Sequence, residues 1–262
     1  MDGGEFVLLA SPAWRTRVER EWAHDVARHA QQLVSQVVAP VRRSGRTVFE
    51  CEGRFVAVYP FVVGQMMDRE DRVLRYEAAA ILAAIHNALI DWRGGPRPPS
   101  GESRPAPPPD PPDLHDPALD AWWLSVQDRT FLVSATHGDY YRRNLLCAKR
   151  KIVGLIDWHD ATVRPLAVEL AGATFEMCRD DEHMLQLDRT DEFVTSYLAA
   201  GGPLPEHELD VLLPLIRLWI RNDARGSLTH KEQTDYEYAA RQMRAFRTLA
   251  SCEWRPSSVT GG

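Results

Sequence analysis

The stretch FLVSATHGDYYRRNLLCAKRKIVGLIDWHDATV, residues 131–163, decides the fold of this chain. It begins with a short apolar run, and a second apolar run at residues 152–156 follows a polar turn at residues 148–151. Short β-branched runs that are bounded by polar residues are typical of strands. The stretch therefore predicts a strand and a loop, followed by a hairpin whose second strand ends in another loop.

Three oxygen-bearing side chains follow these strands: Asp139, Asn144 and Asp157. Asn144 and Asp157 lie on opposite arms of the predicted hairpin, so they can approach each other. One carboxamide and one carboxylate make a hard, oxygen-rich site suited to magnesium, which keeps its waters and binds phosphate oxygens. Asp139 stays free to accept a proton from an attacking hydroxyl. This order of residues is the arrangement of kinase-type phosphoryl transfer.

Two motifs in the stretch carry a resemblance to a known family. HGDYYRRN at residues 137–144 and GLIDW at residues 154–158 resemble the aminoglycoside phosphotransferase and choline kinase family, whose members are relatives of the protein kinases. The family pattern reads HGDxxxxN and then IDxxxA, and Ala161 lies in register with the second motif. The combined spacing makes the match specific, whereas HGD alone is a weak signal. The alternative is an ordinary β-hairpin with polar loops.

The resemblance implies a role for several side chains. Asp139 is expected to be the catalytic base, and Asn144 and Asp157 are expected to be Mg²⁺ ligands. His137 is expected to support the backbone of the catalytic loop. The family often has an aspartate before a Leu-Ala pair downstream, where it orders the loop, and Glu169 stands in that place here.

Two further groups of candidates come from the same resemblance. Arg143 could reach the γ-phosphate of a nucleotide or bind a local carboxylate, and both alternatives stay open. The segment YPFVVG, residues 59–64, would be the hinge whose backbone contacts adenine, which makes Tyr59, Phe61 and Val62 the expected nucleotide-binding residues. The alternative for this segment is a strand followed by a plain loop.

The N-terminal part of the chain predicts a small, strand-rich unit. Residues 5–10 (EFVLLA) predict a strand that Pro12 ends, and residues 15–29 predict a helix. Three more short strands, separated by polar turns, are expected at residues 36–41, 47–51 and 55–59.

In the resembling family this order of elements is the later part of a kinase N-lobe. The predicted fold class is therefore α+β: a two-lobed protein-kinase-like fold, with a small β-rich N-lobe that lacks its first strands and a larger, mainly helical C-lobe. We place the N-lobe at residues 1–63 and the C-lobe at residues 64–262. The C-lobe then contains the catalytic loop at 137–144 and the metal motif at 156–161.

The N-lobe departs from the family pattern where the phosphates would bind. No G-x-G-x-x-G sequence precedes the first strand, and the strand expected to carry a lysine reads Leu8-Leu9-Ala10. No lysine precedes Lys149. Glu19 or Glu21 occupies the place of the lysine's ion-pair partner. These departures remove a phosphate cover and a fixed positive charge.

Four explanations of these departures stay open. The true start codon lies further upstream; Arg15, Arg17 or another arginine substitutes for the lysine; a partner protein completes the lobe; or catalysis is lost while the fold is retained. The sequence does not choose among them.

The middle of the chain predicts a long helix and then an extended segment. Residues 68–91 have apolar residues at helical spacing, Asp68 as the expected cap, and His86 as a packed structural histidine. Residues 94–117 hold ten of the eighteen prolines and predict a surface excursion, with a polyproline ligand for a partner domain as the alternative. A short helix at residues 119–128 should then pack its two tryptophans onto the large lobe.

The C-terminal helices are expected to form the acceptor side. Helices are predicted at residues 193–199, 205–221 and 234–250. The family builds its acceptor pocket from such helices, so polar residues here are candidates for substrate contact, although each is more often a solvated surface charge. These candidates are Asp180, Asp181, Arg221 and Asp223.

Composition narrows the class of protein. The chain has 262 residues, a formal net charge of −6 and 44% hydrophobic residues, which is ordinary for a globular protein and argues against nucleic acid as the main partner. No apolar run reaches membrane-spanning length, and no signal pattern begins the sequence, so we expect a cytoplasmic protein without a membrane partner. The four cysteines are scattered, which favours reduced thiols.

The predicted function is Mg²⁺-dependent transfer of the γ-phosphoryl group of ATP, or of GTP in its place, to a hydroxyl group. The expected acceptor is a small molecule such as an antibiotic, an amino alcohol or homoserine. One alternative is a kinase for serine or threonine of a peptide in a natural-product pathway, working with a partner protein. A second alternative is a non-catalytic, pseudokinase-like binding subunit.

Overall fold

The computed structural model describes residues 4–12, 14–100, 111–229 and 235–256. This part of the chain contains three short antiparallel sheets and seven α-helices. The strands are β1 (Phe6–Ala10), β2 (Phe49–Cys51), β3 (Arg54–Pro60), β4 (Gln65–Met66), β5 (Val133–Thr136), β6 (Leu145–Ala148), β7 (Lys151–Leu155) and β8 (Thr162–Pro165). The helices are α1 (Arg17–Gln31), α2 (Arg72–Leu89), α3 (Pro117–Ser125), α4 (Leu166–Cys178), α5 (Leu187–Ala199), α6 (Leu212–Thr229) and α7 (Tyr236–Thr248).

The first sheet has the strand order β1-β3-β2 and is antiparallel throughout. The β2–β3 hairpin turns at Glu52 and Gly53, which both have positive φ (51° and 73°), as a two-residue hairpin turn requires. Strand β1 forms one edge of the sheet, and all five of its residues are exposed. Phe6 and Leu8 are 59% and 62% exposed, so this sheet ends in an apolar edge strand that nothing in the described chain covers.

The strand predicted at residues 36–41 is wrong. Only Val37 forms a bridge there, parallel to Leu155 of β7. The neighbouring backbone N–H groups bond to different strands. Val38 donates to Leu155 O of β7 (2.9 Å), whereas Val41 donates to Val58 O of β3 (2.8 Å). Pro40 lies between them and has no N–H to continue a ladder. The segment therefore bonds both to the first sheet and to β7, but it is not a strand of the sheet that contains either partner.

The second sheet, of order β4-β6-β7, and the third, the β5–β8 pair, hold the segment that decides the fold. The β6–β7 hairpin confirms the predicted turn, with Lys149 and Arg150 at φ 51° and 58°. Strand β5 pairs with β8 from Val133 opposite Pro165 to Thr136 opposite Thr162. The loops that follow β5 and β7 consequently meet at one end of these sheets.

Helix α2 crosses the centre of the hydrophobic core. It begins later than predicted, because Asp71 rather than Asp68 caps it: the Asp71 carboxylate accepts the N–H of Val73 (3.0 Å). Asp68 closes a turn just before the helix by accepting the N–H of Glu70 (2.9 Å). The predicted apolar face is confirmed, since its members are all buried. They are Leu74, Ala78, Ile81, Leu82, Ile85 and Leu89.

The proline-rich segment packs against the protein at both described ends. At its start, the indole N–H of Trp22 donates to Gly94 O (3.2 Å), and Arg97 binds α1 as described below. At its end, a short 3-10 helix at Pro112–Leu114 precedes α3. The proposed polyproline ligand falls mainly on residues 101–110, which lie outside the described residues.

The remaining helices begin or end away from the predicted positions. Helix α5 starts six residues earlier than expected and α6 continues to Thr229, whereas α3 is shorter than expected. Of the two tryptophans in α3, Trp122 packs against the core, but Trp123 is 38% exposed. None of the helices in the described ranges is both long enough and apolar enough to cross a membrane.

The burial of α2 predicts which of its residues support the fold. We expect Leu82→Ala to lower the free energy of unfolding by about 2–5 kcal/mol, because Leu82 is fully buried and its loss leaves a cavity. Val73→Ala on the same helix is the matched control. Val73 is 53% exposed, so we expect a change within about 0.5 kcal/mol. Urea denaturation measures both, and equal effects would contradict this arrangement of the helix.

Candidate active site

The loop after β5 is pressed against the loop after β7 at Gly138. Gly138 has a φ of 91°, which an L side chain rarely adopts, and a Cβ atom there would lie 1.8 Å from the carbonyl oxygen of Asp160. Arg164 also donates to the Gly138 carbonyl (3.2 Å). Only glycine fits this contact, so the HGD motif needs its central residue for the approach of two backbones.

His137 is fully buried and holds its own loop. Its Nε2 donates to Ile156 O (3.0 Å), and its Nδ1 accepts the backbone N–H of Asp139 (3.2 Å). Burial lowers the pKa of His137 to about 4, so the ring is neutral near pH 7 and both bonds are compatible with one tautomer. The ring also meets Trp158 edge-on, with centroids 4.6 Å apart. His137 thereby ties the catalytic loop to the end of β7.

Glu169 on α4 contacts the backbone of the same loop from within the core. Its carboxylate accepts the N–H groups of Gly138 (2.6 Å) and His137 (3.3 Å) and a hydrogen bond from Nε2 of His86 (3.0 Å). Burial opposes ionisation, but the bond from His86 and the positive charge of Arg164 together lower the pKa of Glu169 to about 2. The carboxylate is therefore ionised and fully hydrogen-bonded.

His86 is a packed residue of α2, as predicted. It is fully buried, and its Nδ1 lies 2.7 Å from the hydroxyl of Tyr197 on α5. Through His86, the Glu169 carboxylate joins α2, α4 and α5 to the catalytic loop.

Asp139 and Asn144 are in direct contact. The side-chain amide of Asn144 donates to Asp139 Oδ2 (3.0 Å) and to the Asp139 carbonyl (2.8 Å). Burial raises the pKa of Asp139 to about 6, and the negative charge of Asp160 adds to the rise, although the bond from Asn144 opposes it. A carboxylate whose pKa lies just below neutral pH can both hold and release a proton under ordinary conditions.

The oxygen atoms of Asn144 and Asp157 suit a hard cation. Since the Asn144 amide nitrogen faces two acceptors, its amide oxygen is turned away from Asp139. Asp157 lies next to this position, because the N–H of Ile156 donates to the Asn144 carbonyl (2.9 Å). Asp157 has an αL backbone (φ 68°), and its carboxylate is about one-third exposed and contacts His159. One amide and one accessible carboxylate oxygen fit Mg²⁺, which takes its other ligands from water and phosphate.

No group of three or more His, Cys, Asp or Glu side chains among the described residues could hold a metal ion. Asn144 and Asp157 would supply two oxygen ligands and leave the other coordination positions of Mg²⁺ to water and phosphate. That is the usual form of Mg²⁺ sites that bind nucleotides.

A polar cavity of about 660 Å³ opens beside Asp139. Residues of the catalytic loop and of helices α4, α6 and α7 line it together. Its charged and aromatic members are Asp139, Tyr141, Arg142, Arg143, Glu176, Arg179, Trp219, Asp223, Asp235 and Tyr238. Arg143 is exposed here and forms no ion pair with a carboxylate in the described ranges, so nothing found there supports the alternative of a local carboxylate partner.

The sequence did not single out several residues of this cavity. Glu176 is buried and bonded to Arg179 (3.0 Å), and burial raises its pKa. Tyr238 donates its hydroxyl to Asp223 (2.6 Å). A signal for Glu176 was present, because it follows Glu169 by two helical turns in an otherwise apolar helix. Tyr238 carried no such signal.

Of the four acceptor-side candidates, only Asp223 lines the cavity. Arg221 pairs with Asp120 of α3 (2.7 Å), and Asp181 pairs with Arg69 (2.5 Å). Asp180 closes its own loop by accepting the N–H of Met184 (2.8 Å). Those three side chains are thus engaged in structural contacts.

The expected nucleotide hinge follows β3 directly. The hydroxyl of Tyr59 lies 3.1 Å from Nε2 of His24 on α1, and burial raises the pKa of Tyr59 to about 12. The N–H of Phe61 donates to Glu5 O (2.9 Å), so this donor is already used within the protein. Val62 has no such backbone bond to another described residue, and its side chain packs against Gly154 of β7.

Helix α1 is bound to the loop after Asp157 by two arginines. Arg15 bonds to Glu19 (3.1 Å), to Asp160 (2.6 Å) and to the carbonyl of His159 (2.6 Å). Arg97 bonds to the same Glu19 oxygen (2.5 Å) and to the carbonyls of His159 and Ala161 (both 2.9 Å). Glu19, which was expected together with Glu21 as a candidate ion-pair partner of a lysine, is therefore buried between two arginines.

Comparison with known proteins agrees with this geometry. The Phosphotransferase enzyme family, APH, matches residues 2–210. The chain belongs to this family of phosphotransferases. No curated protein matches the sequence.

Solved structures share the fold at low sequence identity. An amicoumacin kinase in complex with AMP-PNP, Ca²⁺ and Ami is 14% identical, with a TM-score of 0.69 over 94% of this chain and 82% of the other. A choline/ethanolamine kinase family protein from Mesorhizobium loti is 16% identical, with a TM-score of 0.67 over 95% and 83%. A microcompartment-associated aminopropanol kinase is 16% identical, with a TM-score of 0.64 over 95% and 84%. The chain therefore has the two-lobed, kinase-like α+β fold.

The contact at Gly138 makes a sharp prediction. We expect Gly138→Ala to lower the free energy of unfolding by about 3 kcal/mol or more, because both the positive φ and the Asp160 carbonyl exclude a methyl group. Gly45→Ala is the control, since Gly45 has a φ of 80° but open space around its Cβ position. It should cost only about 1–2 kcal/mol. Urea denaturation distinguishes the two, and equal losses would contradict the close approach.

The raised pKa of Asp139 predicts a pH-dependent gain of stability in Asp139→Asn. Above pH 6 the wild type holds a carboxylate that the folded state disfavours, so the variant should melt at a higher temperature. The gain should shrink as the pH falls from about 6 towards 4, where the wild type takes up the proton itself. Thermal unfolding of both proteins between pH 4 and 8 measures the difference, and a gain that grows on acidification would refute the shift.

Proposed function

We propose that this protein transfers the γ-phosphoryl group of ATP to a hydroxyl group of a small molecule in a Mg²⁺-dependent reaction. The observation that carries the proposal is the contact of Asp139 with Asn144 at the wall of the polar cavity. Asn144 lies next to Asp157, where the metal ion of a nucleotide would bind. Asp139 lines the cavity, which has space for an acceptor. Membership of a phosphotransferase family supports the same reaction class.

Asp139 acts as the base in this proposal. It is ionised at neutral pH because its pKa of about 6 lies below that pH, and it lines the cavity in which an acceptor hydroxyl would lie. The carboxylate orients this hydroxyl and accepts its proton as the bond to phosphorus forms. Asn144 holds the carboxylate in place by donating to Oδ2. Positioning by such groups accounts for much of phosphoryl-transfer catalysis.

Asn144 and Asp157 would hold Mg²⁺ through their amide and carboxylate oxygens. The ion, when bound, neutralises phosphate charge and orients the phosphate chain. Glu169, which lies in the core, accepts the N–H of Gly138 in the catalytic loop. His137 of the same loop donates to the carbonyl of Ile156, just before Asp157. These two contacts fix the positions of the two loops relative to each other. Val62 is the hinge residue best able to offer its backbone to a nucleobase.

The cavity favours an acceptor that carries both amine and hydroxyl groups. Asp223 and Asp235 place carboxylates along its wall, where Glu176 is already bonded to Arg179, and Trp219 adds an aromatic surface that attracts cations. A volume of about 660 Å³ accommodates an amino alcohol or part of a larger amine-bearing antibiotic. In this proposal the exposed Arg143, which lines the same wall, would bind the transferred phosphoryl group.

Transfer of labelled phosphate tests the proposal directly. With [γ-³²P]ATP, Mg²⁺ and a panel of amino alcohols and amine-bearing antibiotics, we expect the wild type to label at least one acceptor. Asp139→Asn should reduce the rate by about a hundredfold to ten-thousandfold, because it removes the base, while ATP binding changes little. Asp157→Ala should instead abolish Mg²⁺-dependent ATP binding in calorimetry.

Asp188→Asn is the matched control for both measurements. Asp188 is exposed at the start of α5, so its loss should change neither binding nor transfer. Transfer that persists in Asp139→Asn would contradict the assigned base. A wild-type chain that binds no nucleotide by itself would contradict a stand-alone kinase, and would favour a binding subunit or a site that a partner protein completes.

A further inference from the structure

Three arginines lie just before or near the start of helix α1, and two of them have clear partners. Arg15 is bound to Glu19 and Asp160, as described above. Arg17 lies 3.9 Å from the carboxylate of Glu50 and stacks on the ring of Phe55. Both side chains are therefore engaged within the protein.

Arg20 differs from both. It is only 5% exposed, yet its guanidinium group forms no hydrogen bond and no ion pair with any other part of the described chain, and its Nε is buried. The charge of the neighbouring Glu19 acts on Arg20, but Glu19 Oε1 is bound by Arg15 and Arg97. Burial lowers the pKa of Arg20, and the positive charge of Arg15 adds to this effect, although the negative charge of Glu19 opposes it.

The surroundings of Arg20 place it between the first sheet and the loop after Asp157. His24, one helical turn later, bonds to Tyr59 of β3. Helix α1 also packs on the 3-10 helix Trp158–Asp160, which directly follows Asp157. Arg20 thus lies on the helix that joins the first sheet to the loop after Asp157.

We propose that Arg20 is the cation that binds the phosphate chain of the nucleotide between α1 and Asp157. The inference rests on the proposed function and names a residue that the sequence motifs do not contain. A buried, unpaired guanidinium group is costly to the folded protein, and a phosphate supplies the missing anion with bidentate geometry. Arg15 and Arg97 keep the adjoining loop in place beside Arg20.

The test compares Arg20→Met with Arg17→Met, its matched control on the same helix. Calorimetry measures the binding of MgATP, adenosine and inorganic tripolyphosphate, and thermal unfolding measures the ligand-free proteins. We expect Arg20→Met to weaken ATP and tripolyphosphate roughly tenfold to a hundredfold, the usual range for hydrogen bonds to a charged group, and to leave adenosine unchanged. Arg20→Lys should recover part of the loss, and Arg17→Met should show none.

Ligand-free stability separates this role from a structural one. Removal of an unpaired buried charge should leave the melting temperature of Arg20→Met unchanged or raised. A lower melting temperature with equal losses for ATP and adenosine would overturn the inference, because Arg20 would then support the fold. Equal binding of ATP and tripolyphosphate by Arg20→Met and the wild type would also overturn it, while leaving the proposed function intact.

The binding of tripolyphosphate distinguishes a failure of the phosphate site from a failure of the proposed use of ATP. If the wild type binds tripolyphosphate but not ATP, and Arg20→Met loses that binding, the phosphate site stands and the proposed use of ATP fails. If the wild type binds neither ligand, both proposals are overturned.

Discussion

The buried carboxylate of Glu169 is the interaction on which the arrangement of the site depends. It accepts two backbone N–H groups from the catalytic loop and a hydrogen bond from His86, which in turn lies against Tyr197. A buried ionised group destabilises the folded state unless it is fully hydrogen-bonded. The bonds to this carboxylate therefore hold each of its partners in a defined position. Three helices and the loop that carries Asp139 consequently share one fixed point.

The pKa of Asp139 depends on the charges that the fold brings near it. Asp139 lies near Asp160, Glu176 and Asp223, and burial together with these negative charges raises its pKa to about 6. Such a carboxylate weakens the folded state at neutral pH, as chemically useful groups often do. The cavity beside Asp139 also holds the arginines Arg142, Arg143 and Arg179, so its wall carries charges of both signs. Beside the first sheet, Arg15 is paired with carboxylates, whereas Arg20 forms no ion pair within the described chain.

Local sequence determined the parts of the fold whose contacts lie close together along the chain. The β6–β7 hairpin, the two loops of the motif stretch and the apolar face of α2 were all predictable, because turn residues and apolar periodicity act over a few residues. The strand at residues 36–41 and the cap at Asp68 were wrongly predicted. In both places the sequence was compatible with the element, but backbone groups found other partners in the folded chain.

The sequence by itself determined the family motifs and hence Asp139, Asn144 and Asp157 as candidates, since 33 consecutive residues contain them all. Only the tertiary structure decided what surrounds them. Glu176 and Tyr238 reach the cavity from α4 and α7, and Arg97 reaches Glu19 across 78 residues of chain. Arg20 resembles its neighbours in the sequence, and its lack of an anion appears only once the folded chain has engaged Arg15 and Arg17. Such pairings depend on which helices pack together, and no local pattern encodes that choice.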